Sequence, residues 1–187
     1  GMAAILMDGN ALRDEIIAGL RVTVEAAGSP PVCLATVLVG NDGPSQRYVA
    51  SKHKKAVEAG LVARHVDLPE TATQGEGEAA VREVRPDIVY VSISGFGERG
   101  PFAEKPAYDP VIQAVSGLTS VQAGSDEARP RLIRTVLPDK LTAITAAQAI
   151  TAALFARQRS GEGQHLRLSM FDSVLSFLWA SDMNAET

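Results

Sequence analysis

The chain has 187 residues, 45% hydrophobic and 21% charged, with a net charge of −4. That balance is globular rather than disordered, and the length suits one domain or two small ones. The negative charge and the lack of a basic stripe argue against a nucleic-acid partner, and no apolar run is long enough to span a bilayer. The single Cys33 excludes an internal disulfide, and its apolar neighbours predict a buried thiol. No charged-then-apolar leader is seen, so the expected compartment is the cytoplasm. Gly1 ahead of Met2 reads as a cloning remnant.

Ala3 to Met7 is a short apolar strand candidate, broken by Asp8-Gly9-Asn10, where Asn10 can cap a helix. From Ala11 to Ala26, Leu12, Ile16, Leu20 and Val24 recur every four residues, which predicts an amphipathic helix with one buried face. Gly28-Ser29-Pro30-Pro31 ends it. Val32 to Val39 is a continuous apolar, β-branched run of the kind buried on both faces of a parallel sheet. After the loop from Gly40 to Pro44, Ser45 can cap a helix reaching Ala59, Gly60 stops it, and Leu61 to Leu68 returns as a strand. The order β-α-β-α-β predicts an open α/β sheet.

Tyr48 and Lys52 form an i,i+4 pair on the second of these helices, just after the strand end where ligands of open α/β sheets bind. An aromatic ring can stack on a flat heterocycle, and a partly desolvated lysine can move a proton. With Lys54 and Lys55 adjacent, spacing alone favours a solvated basic face.

The run Val37-Leu38-Val39-Gly40-Asn41-Asp42-Gly43-Pro44-Ser45-Gln46-Arg47-Tyr48-Val49-Ala50-Ser51-Lys52 resembles the methylenetetrahydrofolate dehydrogenase/cyclohydrolase family. Leu6-Met7-Asp8-Gly9 and Asp67-Leu68-Pro69-Glu70-Thr71 fit the same pattern in order. The resemblance covers residues 2–74. It implies a tetrahydrofolate derivative as ligand, with Tyr48 against the folate and Lys52 as acid/base. The family's Val-Gln-Leu-Pro-Leu-Pro segment, its Asp-Gly pair for the pterin and its Gly-rich NADP half do not follow, so no NADP site and no dehydrogenase activity are implied.

Thr71 to Gly77 is small, polar and Gly-rich, a linker or turn. Ala79 to Val84 suits one or two helical turns before Pro86. Asp87 to Ser94 reads as a strand, followed by Gly95-Phe96-Gly97-Glu98-Arg99-Gly100-Pro101, whose glycines let backbone approach a ligand or form a simple flexible turn. Tyr108 to Ser116 is a short helix closed by Gly117. Pro138-Asp139 opens the longest helix, Lys140 to Arg159, apolar or small nearly all round and hence expected to be largely buried, with Gly161 as its cap. Gln164 to Met170 alternates as a half-buried strand, and Phe171 to Asp182 closes as an apolar helix.

Asp139 has two readings. Position and type favour an N-cap. It also suits a carboxylate nucleophile, kept ionised by the helix N-terminus and able to attack a thioester. His53, His65 and His165 share no metal-ligand spacing, and no metal is expected. Trp179 is expected to pack.

Ile93-Ser94-Gly95-Phe96-Gly97-Glu98-Arg99-Gly100-Pro101, Tyr108 to Gly117, Arg159 to Gln164 and Ser169-Met170-Phe171-Asp172-Ser173 together resemble the class III (CaiB/BaiF) CoA-transferases over residues 78–187. The resemblance implies a CoA thioester as substrate and no covalently bound cofactor. Asp139 would form first a mixed anhydride and then an aspartyl-CoA thioester, with Gly95, Phe96, Gly97 and Gly100 as the CoA-facing loop. Tyr108 stands where the related racemases carry histidine, which turns the reading away from racemisation. The family's N-terminal CoA-binding segment and C-terminal domain are not found in this sequence.

The expectation is therefore an α/β protein of mainly parallel open sheet segments with flanking helices, built from two partial domains, 2–74 and 78–187. Acyl-CoA transfer leads; a folate-binding module of the dehydrogenase/cyclohydrolase kind, with methenyltetrahydrofolate cyclohydrolase as its activity, and a non-catalytic fusion are the alternatives. The partner expected is a small-molecule substrate. Uncovered strand edges and apolar faces predict a homo-oligomer, or halves that pack on each other.

Overall fold

A computed structural model describes residues 8–40, 43–125 and 127–179. The elements run α1 (Gly9–Ala26), β1 (Cys33–Val39), α2 (Gly43–Glu58), β2 (Val62–Leu68), α3 (Gln74–Val84), β3 (Tyr90–Ser94), α4 (Asp109–Val115), α5 (Leu118–Ala123), α6 (Leu137–Ser160), β4 (His165–Ser169) and α7 (Met170–Trp179). The chain divides into two compact units, Gly1–Ala79 and Ala80–Thr187, with the division falling inside α3. The strand expected over Ala3 to Met7 lies outside the described residues.

In the first unit β1 and β2 pair in parallel, in register from Cys33↔Val62 to Val39↔Leu68. Helix α2, the crossover between them, packs on both strands. The cap of α1 is Asp8, not Asn10: its Oδ1 accepts from the Asn10 and Ala11 backbone N–H groups at 2.9 and 3.2 Å. The apolar stripe of α1 is not covered as expected. Leu12, Ile16 and Leu20 are 59, 54 and 51% exposed, whereas Ile17 and Val24 are half-buried. The reading of β1 as buried on both faces also fails. Only Leu38 is buried, because among the described residues the sheet has two strands, and Val39, Val62 and Val66 remain exposed. Cys33, at the open start of β1, is exposed rather than buried.

The segment read as a linker or turn makes a turn at Glu70 and Thr71 and then enters the first turn of α3. Thr73 and Glu76 form a capping box: the Thr73 N–H donates to Glu76 Oε2 at 2.7 Å, and the Glu76 N–H donates to Thr73 Oγ1 at 3.3 Å. These bonds satisfy donors that otherwise face solvent at a helix start, which offsets the poor helix propensity of Gly75 and Gly77.

In the second unit β3 and β4 pair in parallel, from Tyr90↔His165 to Ser94↔Ser169. The core is Ile112, Leu118, Val174 and Leu178, ringed by Phe96, Ile133, Leu137, Leu141 and Phe171 among others. It joins α4, α5 and α7 to the first turns of α6. Helix α6 buries one narrow line, Pro138, Thr142, Ala146 and Ala153, where small side chains admit α7 closely. The expectation of a largely buried α6 is corrected here: Ile144, Leu154 and Phe155 are exposed, since among the described residues nothing covers its outer face. Trp179 is likewise exposed at the end of α7 rather than packed. Gly161, in the left-handed region at φ 74°, closes α6 with its N–H on the Arg157 carbonyl at 2.8 Å.

Candidate functional site

The first turns of α4 and α6 meet in the second unit. Asp109 is the first residue of α4 and is only 6% exposed. Its Oδ2 accepts the backbone N–H of Asp139, the third residue of α6, at 3.1 Å. Its Oδ1 accepts from Gln113 Nε2, one turn along α4, at 2.7 Å. Gln113, 2% exposed, also donates to the Thr135 carbonyl at 3.1 Å and accepts the Ile133 N–H on Oε1 at 2.9 Å. One buried amide therefore straps the segment leading into α6 onto α4, and one buried carboxylate caps α6.

The N-cap reading of Asp139 is thereby corrected. The N-cap position is Val136, without a side-chain bond, and the capping carboxylate comes from Asp109, thirty residues earlier. Among the described residues nothing donates a hydrogen bond to the Asp139 carboxylate, which is exposed. Its pKa is raised, first by desolvation and then by the charge of Asp109. Both effects act against the helix N-terminus, which was expected to favour the ionised form of Asp139. The Leu137 and Lys140 N–H groups go to the Thr135 and Val136 carbonyls, and Pro138 has none. The start of α6 thus offers the Asp139 carboxylate to solvent while its own backbone donors are spoken for.

The loop after β3 is anchored rather than a loose turn. Glu98 accepts from Ser92 Oγ at 3.0 Å and pairs with Arg167 Nε at 2.8 Å, tying the loop to both strands. The Gly97 N–H donates to Ser94 Oγ at 3.0 Å. Gly97 and Gly100 have φ of 89° and 98°, which a side chain disfavours. Gly95 has a different cause: a Cβ there would run into the Ala107 Cβ, so its hydrogen serves internal packing. The Phe96 ring lies 5.5 and 5.9 Å from the Phe102 and Phe171 rings, against the core. Tyr108, at the N-cap of α4, is 74% exposed.

In the first unit Tyr48 and Lys52 lie on α2 as expected, but both are exposed, Tyr48 by 70%. The described residues do not supply the partial desolvation that a proton-moving Lys52 needs. An open hollow of about 460 Å³ at the C-terminal edge of β1 and β2 is lined by Gly40, Gln46, Asp67, Leu68, Pro69 and Glu70, and by neither Tyr48 nor Lys52. His53 and His65, which share no metal-ligand spacing, lie close together, their ring centroids 5.7 Å apart. Thr36 Oγ1 lies 2.8 Å from His53 Nε2 and 3.0 Å from His65 Nδ1, and His65 Nε2 lies 2.9 Å from Asp67 Oδ1. No group of three metal-ligating side chains occurs among the described residues, and no described helix is long and apolar enough to cross a membrane.

Residues 58–186, more than half of the chain, match the family model of CoA-transferase family III, and the chain belongs to that family. Residues 7–92 match the catalytic domain of tetrahydrofolate dehydrogenase/cyclohydrolase, so two family likenesses overlap along one chain. The acetyl-CoA:oxalate CoA-transferase of Acetobacter aceti is 41% identical over 96 residues, 51% of this chain and 25% of that protein. The succinate–glutarate CoA-transferase of Agrobacterium fabrum is 35% identical over 113 residues, 60% of this chain and 28% of that protein. A CaiB/BaiF family protein from Brucella suis has a similar fold, with a TM-score of 0.55 at 24% identity over 91% of this chain and 36% of that one. The chain thus spans about a quarter of the length of these two curated relatives.

Proposed function

We propose that the chain transfers CoA from an acyl-CoA thioester to a second small carboxylate, with Asp139 as the covalent carrier. The observation that supports this most is the free carboxylate of Asp139: a residue at a helix start that caps nothing, because another carboxylate does so. In this reading an Asp139 oxygen attacks the thioester carbonyl and expels CoA thiolate, leaving a mixed anhydride. The thiolate attacks the aspartyl carbon of the anhydride, releasing the first carboxylate and leaving aspartyl-CoA thioester. The incoming carboxylate attacks that thioester, and the returning thiolate takes the new acyl group and frees Asp139. The names of the relatives, with oxalate, glutarate and mesaconate among them, favour a dicarboxylic acid as CoA acceptor. Gly95, Phe96, Gly97 and Gly100 form the loop assigned to CoA. The domains are taken as 2–74 and 78–187, the assembly as a homo-oligomer and the compartment as the cytoplasm.

The test is to incubate the full chain with succinyl-CoA or oxalyl-CoA, quench with hydroxylamine, and map the hydroxamate by peptide mass spectrometry. A hydroxamate on Asp139, absent from Asp139→Asn, supports the reading; a chain unmodified by every acyl-CoA tried sinks it. A second reading, folate binding in the first unit, is favoured by the hollow at the β1–β2 edge. A melting shift with tetrahydrofolate derivatives and none with CoA esters would put it first. Loss of that shift in Lys52→Ala and Tyr48→Ala would assign it to those residues.

A further inference from the structure

We propose that Asp109 and Gln113 are positioning residues for Asp139, Asp109 capping α6 in its place and Gln113 locking Asp109. The role in acyl transfer rests on the reading of Asp139 as the acyl carrier; the geometry does not. Asp139 stands in the first turn of α6, where an aspartate is ordinarily drawn onto backbone N–H groups. A carboxylate so engaged has fewer lone pairs to present to a carbonyl carbon. Here the Asp139 N–H is taken by Asp109 Oδ2, and the Asp139 side chain is left to solvent.

Asp109 can do this because both of its oxygens are held. It is buried, its other oxygen is held by Gln113, and Gln113 is fixed in turn by the backbone at Ile133 and Thr135. The strap ends four residues before Asp139, so it sets the position of the α6 start relative to α4. The placement also sets the local field. Asp109 is the charge acting on Asp139 from α4, and it disfavours ionisation of Asp139, which makes the Asp139 oxygens more basic. On its own helix, Lys140 spends its ammonium on Thr135 Oγ1 at 2.7 Å.

The full chain, labelled with ¹³C at aspartate carboxyls, is titrated by NMR, with Asp139→Asn identifying the Asp139 signal. In Asp109→Asn the Asp139 midpoint moves down toward the ordinary aspartate range, and acylation slows by about 10²-fold if Asp139 carries the acyl group. A merely structural Asp109 would lower the melting temperature and leave the Asp139 midpoint where it was, which overturns the proposal. Should Asp109→Asn not fold, the wild type decides. Its Asp139 amide proton shift follows the titration of the Asp109 carboxyl if that carboxyl caps it; an amide that follows only the Asp139 carboxyl overturns the proposal. A chain that takes no acyl group but shows both NMR results retains the positioning geometry and loses the transferase reading, so the two fail separately.

Discussion

Gln113→Leu tests the strap at its centre. Leucine approximates the volume of glutamine and removes its polar end. Four groups then lose a partner: Asp109 Oδ1, the Ile133 N–H and the Ile133 and Thr135 carbonyls. Leaving a buried polar group unsatisfied costs about 1–3 kcal/mol; taking about 3 for the fully buried Asp109 Oδ1 and about 1 for each of the three part-buried backbone groups gives about 6 kcal/mol. Burying the leucine side chain returns about 2 kcal/mol, for a net loss of about 4 kcal/mol. A unit of this size is stable by about 5–15 kcal/mol, so the variant should fold with little reserve. With a urea slope of about 2 kcal/mol/M, its midpoint falls by about 2 M.

Circular dichroism and the fluorescence of Trp179, the one tryptophan in the sequence, follow the transition. Trp179 adjoins the buried Leu178 at the end of α7, so its signal belongs to the second unit. Gln148→Leu is the control, because Gln148 is exposed on the outer face of α6 and should change stability by no more than about 0.5 kcal/mol. Equal midpoints for the two variants would refute the reasoning: the start of α6 would not then depend on the glutamine.

Asp139→Asn should stabilise the protein at neutral pH. A carboxylate whose pKa is raised on folding binds its proton more tightly in the native state, so stability falls as pH rises through the folded value. The gain in melting temperature should be present at pH 7 and vanish below the ordinary aspartate range; a gain independent of pH contradicts the assignment. Gly95→Ala should destabilise by about 1–3 kcal/mol through its clash with Ala107, and Ala107→Gly should restore part of the loss in a double-mutant cycle. Thr73→Ala should cost α3 about 1 kcal/mol of capping, seen as faster amide exchange over residues 74–78. The pKa of Glu76 is lowered by its bonds from the Thr73 backbone and hydroxyl, so the support it gives α3 is present above the ordinary glutamate range. That support is lost as pH falls through the depressed value. Unchanged exchange in Thr73→Ala at neutral pH would count against the capping box.

The parallel strand pairs, the helices around Tyr48 and after Tyr108, and the stop at Gly161 were legible because local chemistry determines them. Burial was not. Leu12, Ile16 and Leu20 share a face by periodicity, but period does not say whether anything lies against that face, and here nothing described does. Thr73-Gln74-Gly75-Glu76 carried its capping box in plain letters, yet two glycines gave it the look of a linker. The candidate site shows the limit most sharply. A search for the cap of α6 inspects the residues beside it and finds Asp139. The cap is supplied by Asp109, which only the tertiary fold brings there. Once that bond is seen, the roles of the two aspartates separate. The buried one, paired to Gln113, satisfies backbone; the exposed one, only partly desolvated and opposed by its neighbour's charge, has no structural task among the described residues. An aspartate whose ionised form its surroundings disfavour is costly to maintain, and that cost gains a purpose if Asp139 does chemistry.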